Sequence, residues 1–288
     1  MKNALALIAI LFCSATLAQT TEPTPLSAAD QVLGTGKVIG LDEFFNHQIR
    51  NGKQFHYIWE DTTINGYSKF GDVWKSFGAS ISSLPAAPTR DDLNKLSVYI
   101  IVNPTPSFSK YAPPGGPNYI DAASIDTIVS WVNDGGILCL FANDKNTCEF
   151  EHLNNLASRF GITYNGNLRN AVPNARDRST GTFKAEQYPD VPFLKDVSMF
   201  FVKEISTIEV KDPAKSIMTV DNEQGTGKDI IMATSNYGKG FVYAIGDPWF
   251  YNEYIDVTST PGLTLENRKA AVNFCRWILT MAPAPMAK

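Results

Sequence analysis

Two five-residue apolar runs, Val98–Val102 and Ile137–Phe141, flank a segment that places Ile125, Ile128, Val129 and Val132 on one helical face. A run that is apolar on both faces suits a strand covered from both sides, which is the situation in a parallel sheet with helices above and below. A strand, a helix and a second strand at this spacing require a right-handed crossover. Asn103-Pro104 ends the first run, and Asp134-Gly135-Gly136 ends the helix. Few folds accommodate this pattern once it is repeated, and it is repeated here.

The repetition extends in both directions. Lys37 to Asp42 reads as a first parallel strand, and Phe70 to Phe77 as a helix with Phe70, Val73, Trp74 and Phe77 on one side, stopped by Gly78. Ala79 to Ile81 reads as a short strand, and Thr89 to Lys95 as a helix capped by the Thr89 hydroxyl. Beyond Phe141, Thr147 to Phe160 has helical character with Gly161 past its end, and Phe200–Val210, Ser216–Val220, Ile230–Thr234 and Phe241–Ile245 are strand candidates. The turn Asn236-Tyr237-Gly238-Lys239-Gly240 joins the last two as an antiparallel hairpin, and Glu266 to Leu279 closes the domain as a helix. The expectation is an α/β fold, doubly wound around a mostly parallel sheet with an antiparallel C-terminal hairpin. Residues 104–118 form a proline-rich loop, and the polar stretch 165–190, with Arg169, Arg176 and Arg178, reads as an insertion or flap.

The N-terminus has the profile of a secretory signal peptide: Lys2 near the start, an apolar run from Ala4 to Cys13, and small residues up to Ala18. That run falls short of the roughly 20 apolar residues of a membrane-spanning helix. Bulky Phe12 before Cys13 speaks against a lipid-modified cysteine. The expected organisation is a signal peptide over 1–18, a disordered lead over 19–33, one domain over 34–282 and a tail over 283–288, exported to the periplasm or secreted. The formal charge is −4, and cleavage after Ala18 removes only Lys2, which gives −5. With no basic block, neither nucleic acid nor an anionic membrane surface is an expected partner, and no membrane span is expected. Of the cysteines left after cleavage, Cys139 and Cys275 lie in apolar runs and read as packed thiols, while a bridge from Cys139 to Cys148 is conceivable.

Open parallel sheets bind ligands beyond the carboxyl ends of their strands. Three such segments are dense in polar and aromatic residues. The first holds Glu43, Asn46, His47, His56, Trp59, Glu60 and Asp61; the second holds Asn143, Asp144, Asn146, Cys148, Glu149, Glu151 and His152. The third holds Asp247, Trp249, Tyr251, Asn252, Glu253 and Tyr254, and all three histidines of the chain lie within the first two. Each residue also has a plainer reading: His56 as a core histidine, His152 as a surface residue, Asp247 as a turn cap, Trp249 and Tyr251 as core. No H-x-H or H-x-x-x-H spacing supports a metal, no G-x-S-x-G a serine hydrolase, and no glycine-rich loop a nucleotide. No metal or cofactor is expected.

Four motifs together resemble a known group: Phe44-Phe45-Asn46-His47, Phe55 through Thr62, Ala142-Asn143-Asp144 with Cys148 through Asn154, and Gly246 through Tyr254. They are similar to a glutamine-amidotransferase-like, flavodoxin-like domain associated with unsaturated glycuronyl (rhamnogalacturonyl) hydrolases of Bacteroidetes polysaccharide-utilisation systems. The resemblance spans about residues 34 to 281. It implies a class I amidotransferase-like sheet and a place in the breakdown of uronic-acid polysaccharides, with an acidic oligosaccharide and a glycuronyl hydrolase as partners. Glutaminase chemistry is not implied, because Cys148 has no glycine elbow and no histidine follows His152.

On that footing the expected reaction is dehydration of a terminal uronic acid to its 4,5-unsaturated form. His56 and His152 would serve as base and acid, Tyr251 or Tyr254 as proton donor, and Asn143, Asn252 or an arginine of the flap as carboxylate clamp. Trp59 and Trp249 would stack on the ring, with His47, Asp144, Glu149, Asp247 and Glu253 completing the binding surface. Two alternatives remain open: a non-catalytic sugar-binding or docking module, and a glycoside hydrolase with paired carboxylates such as Glu60 and Glu253.

Overall fold

The computed structural model describes residues 25–172, 179–256, 259–260 and 263–286, with the side chains of 253, 254, 259, 260 and 263 outside that description. In chain order the first strands are β1 (Val38–Asp42) and the small hairpin β2 (Gln48–Arg50) with β3 (Lys53–Phe55). Helix α1 (Ser68–Ser76), β4 (Ser80–Leu84), α2 (Arg90–Leu93), β5 (Val98–Val102), α3 (Ala122–Asn133) and β6 (Ile137–Phe141) follow. Then come α4 (Glu151–Ala157), β7 (Ile162–Tyr164), β8 (Thr182–Lys184), β9 (Met199–Phe201), β10 (Ile208–Val210), β11 (Ala214–Asp221), β12 (Lys228–Tyr237), β13 (Gly240–Ile245) and α5 (Asn267–Met281).

The main sheet runs β4-β1-β5-β6-β13-β12-β10-β7, with β11 on the other edge of β12. Strands β4, β1, β5, β6 and β13 are mutually parallel. Taken in chain order these five stand as 2-1-3-4-5, the flavodoxin-like arrangement. From β13 onward the pairing turns antiparallel, through the β12–β13 hairpin to β11, β10 and β7.

Alternation along the buried strands divides the core. Ile100, Val102, Cys139, Phe141, Tyr243 and Ile245 face α1 and α5, while Tyr99, Ile101, Leu138, Leu140, Val242 and Ala244 face α3 and α4. On the first face Phe70, Trp74, Tyr251 and Phe274 form an aromatic stack, with Phe70–Tyr251 at 4.8 Å and Tyr251–Phe274 at 4.8 Å. A fully buried Phe is worth roughly 1.5–3 kcal/mol, so this stack outweighs the modest helix propensity of α1.

Several expectations change at the element level. The helix expected from Thr147 begins at Glu151, because residues 144–149 form an Asp-centred loop in which Asn146 N donates to Asp144 Oδ1. The strand expected over 200–210 splits into β9 and β10, with Glu204 at φ +54° between them. The lead expected to be disordered up to residue 33 is packed from Leu26 onward: Leu26 and Leu33 join the core, and Asp30 pairs with Arg276 at 2.7 Å. All three described cysteines are free and buried, so Cys139 and Cys148 are not bridged. Among the described residues no helix is long and apolar enough to cross a membrane.

Candidate functional site

The carboxyl ends of β1, β5, β6 and β13 lie at one end of the sheet, as the parallel pairing requires, and the polar segments follow directly from them. Their side chains divide into an open groove, a buried network and a second small cavity.

The groove, about 450 Å³, lies beyond β6 and is lined by Phe108, Tyr119, Lys145, Glu149, His152 and Asn165 among others. Glu149 builds it. Its carboxylate accepts from the backbone N–H of Glu151 at 2.9 Å and of His152 at 3.1 Å, satisfying donors at the start of α4. The same carboxylate sits 3.2 Å from His152 Nδ1, which leaves Nε2 as the ring's outward nitrogen. The imidazole stacks on Tyr119 with centroids 4.4 Å apart and planes 19° from parallel. Tyr119 is 40% exposed and Phe108 64% exposed, so the groove offers aromatic faces to solvent. Lys145, also exposed, contributes an ammonium. Cys148 borders the groove, but burial pushes its thiol well above the ordinary range and leaves no thiolate for nucleophilic attack.

The network is internal. Asp42 has no exposed surface and accepts from the N–H of Phe45 and Asn46 and from the Tyr99 hydroxyl, while burial pushes its carboxyl up to about 6. Asn46 donates to the carbonyl of His56, and His56 Nδ1 lies 3.2 Å from Gln48 Oε1. His56 sits at φ +73°, its ring stacked on Tyr57 at 3.8 Å, and its Nε2 is buried without a partner. Burial holds the imidazole down to about 4. The expected base or acid is therefore a neutral histidine packed inside the loop. Asn143 does not clamp a carboxylate: its amide donates to the Tyr57 hydroxyl at 3.2 Å and its carbonyl accepts from Asp144 N. Asp144 shapes the 144–147 turn.

Further corrections concern the aromatics. Trp59 is a core residue whose indole N–H donates to the Ser82 carbonyl, not a sugar platform. Tyr251 is fully buried and bonds the Tyr243 hydroxyl, so it is no proton donor to a ligand. Asp247 is fully buried and accepts from Lys203 N and Trp249 N, with burial raising its carboxyl to about 8. Trp249 is partly covered by the Lys203 ammonium, 3.3 Å from its ring centroid. Of the arginines of the polar stretch, Arg169 is buried against Asp229 at 2.6 Å, and Arg176 and Arg178 lie outside the described residues.

His47 stays half-buried with Nδ1 against the Glu43 carbonyl, and Glu60 is exposed beside Glu43, whose carboxyl is raised first by burial. Asn252 is buried in the wall of the second cavity, between the 62–66 loop and the start of α1. The side chains of Glu253 and Tyr254 lie outside the described residues, and with them the Glu60–Glu253 pairing.

Thus His152 and Glu149 meet in one groove, with Cys148 and Glu151 in its lining, while the residues named in the first and third segments lie elsewhere. Sequence reasoning missed Phe108, Tyr119 and Lys145. The first two belong to the proline-rich loop and its end, which Glu149 N ties down through the Pro104 carbonyl at 2.9 Å. An aromatic at each end of a long loop was the signal available.

No protein-family model matches the chain, and no curated protein matches it. Among solved structures, the mmIFT52 N-terminal domain is 16% identical, with 85% of this chain and 98% of that chain covered at a TM-score of 0.60. Cytoplasmic Protein STM1381 from Salmonella typhimurium LT2 is 13% identical, with 86% and 100% covered at a TM-score of 0.51. A ThuA-like protein from Bacteroides uniformis is 14% identical, with 93% and 100% covered at a TM-score of 0.45. At these identities the likeness to the first two concerns the fold alone.

Proposed function

We propose that this chain acts on uronic-acid-bearing oligosaccharides in polysaccharide breakdown after export, and that the groove at His152 receives the terminal sugar. The observation that carries the reading is the His152 ring, stacked on exposed Tyr119 and held from behind by Glu149. Stacked aromatics suit the apolar face of a pyranose, and Lys145 suits its carboxylate.

The chemistry that fits is dehydration. His152 Nε2 takes the C5 proton, which is acidic because it lies alpha to the carboxylate, and Glu149 stabilises the imidazolium that forms. Lys145 offsets the charge that develops on the carboxylate. The C4–O bond then breaks, a C4–C5 double bond forms, and the same imidazolium returns its proton to the departing hydroxyl as water. With one histidine in the groove, the proton and the hydroxyl leave from the same face. The unsaturated product would be the substrate of a glycuronyl hydrolase.

Incubation with saturated uronic-acid oligosaccharides should raise the ultraviolet absorbance of a conjugated unsaturated uronate. His152→Ala should reduce that rate by about a hundredfold or more. A second reading, a non-catalytic sugar-binding module, is favoured by the burial of the His56 Nε2 atom and of Tyr251, which removes two expected proton-transfer groups. Unchanged products by mass spectrometry, with calorimetric binding that His152→Ala only weakens, would decide for the module. Absence of both turnover and binding over a broad acidic panel would sink both.

A further inference from the structure

The second cavity, about 250 Å³, is lined by Thr62, Thr63, Gly66, Ser68, Lys69 and Asn252 together with Ile64. It lies at the start of α1, a nine-residue helix whose N-cap, Tyr67, makes no side-chain capping bond. The backbone N–H groups of Ser68, Lys69 and Phe70 are the helix's unpaired donors, since its ladder begins with Gly71 N to Tyr67 O. A helix start of this kind attracts negative charge. Two more observations point the same way. Among the described residues, Lys69 of the cavity lining and Arg268 both pair with Asp256, which brings two cations to that corner.

The other observation is independent of the helix. Asn252 is 1% exposed, stands in the cavity wall, and neither its amide nitrogen nor its carbonyl oxygen has a partner. Buried amides are ordinarily paired, and one with both ends free marks a place where something else supplies a donor and an acceptor. A hydroxyl does both. The opposite wall is fixed: a Cβ on Gly66 would stand 1.6 Å from the Asp61 carbonyl oxygen, so the 61–66 loop is folded back as tightly as its backbone allows. That fold carries Thr62 and Thr63 to the helix start.

We infer that this cavity binds an oxyanion with a neighbouring hydroxyl, of the sugar-acid or sugar-sulfate class, with the anion at the start of α1 and the hydroxyl at Asn252. The site is separate from the His152 groove and does not rest on the function assigned there.

The test is a titration of the isotopically labelled protein, read at the backbone amides of Ser68, Lys69 and Phe70 by NMR. Potassium glucuronate should shift all three saturably, and glucose should not. Inorganic sulfate separates the sources: a stronger response to sulfate than to glucuronate assigns a sulfate ester, a weaker one a carboxylate. Asn252→Ala should weaken glucuronate binding by about tenfold or more. Lys69→Met, at a side chain 49% exposed and so tolerant of change, should weaken both anions while leaving the fold intact. His152→Ala should leave these shifts unchanged, which separates this cavity from the groove. Unmoved amides, or an equal response to glucose, or full binding in both Asn252→Ala and Lys69→Met, would overturn the inference.

Discussion

At Asp247 the protein buries a carboxyl completely and asks it to accept two backbone N–H groups. Its value rises from 3.8 in the unfolded chain to about 8, first through burial. Between those values the folded state holds the proton more tightly, so this residue's contribution is full below the unfolded value and lost as pH climbs toward 8. Asp247→Asn keeps an acceptor without the charge, and urea denaturation across that range should show a smaller loss of stability with rising pH than the parent chain. His56 works in the opposite sense. Its imidazole falls from 6.5 to about 4, so its contribution is present above the unfolded value and lost as pH falls through that window. His56→Asn, which tolerates the positive φ, should flatten the acid side of the same profile. These two residues also show what the sequence left illegible. It placed polar side chains after strands correctly, but Asn143 and Asp247 are consumed in holding loops because buried polar groups are ordinarily paired, while His56 is packed against Tyr57 with its Nε2 unpaired. Pairing is a property of the folded neighbourhood, and the segment alone does not contain it.

Among the elements, local rules were most legible where they act locally. Thr89 caps α2, as the sequence suggests, and the structure adds the reciprocal bond to the Asp92 side chain; Thr89→Ala should cost about 1 kcal/mol in chemical denaturation. Helix α3 and strand β6 run over the residues their apolar patterns predict. The start of α4 was illegible because it is set by the Glu149 carboxylate, a single side chain that captures two backbone donors. The break between β9 and β10 is likewise tertiary: Lys203 N leaves the strand line to reach Asp247 Oδ2. At the end of β13 the chain passes Ser206 so closely that a Cβ on Gly246 would stand 1.8 Å from the Ser206 carbonyl oxygen. Gly246→Ala should therefore cost about 1–3 kcal/mol, read as a lower denaturation midpoint with an unchanged slope.

Taken whole, the molecule has a parallel half and an antiparallel half that meet along β13 and β12. The parallel half was legible because apolar runs separated by amphipathic helices admit few other arrangements. The hairpin was legible from its turn. The groove was only half legible: His152 and Glu149 were named, but the loop that completes it with Phe108 and Tyr119 carries no periodic pattern. Native-state hydrogen exchange should be slowest in β5 and β6, which are buried throughout and paired on both sides, and faster in edge strand β4. The position of β13 has a consequence for how the chain comes into being. The strand that occupies the middle of the sheet is the last to be synthesised, inserted against β6 only after residue 240 has been made. Until then a nascent chain, or a fragment cut short of that point, presents the wholly apolar β6 with one edge open, a template on which another copy can pair.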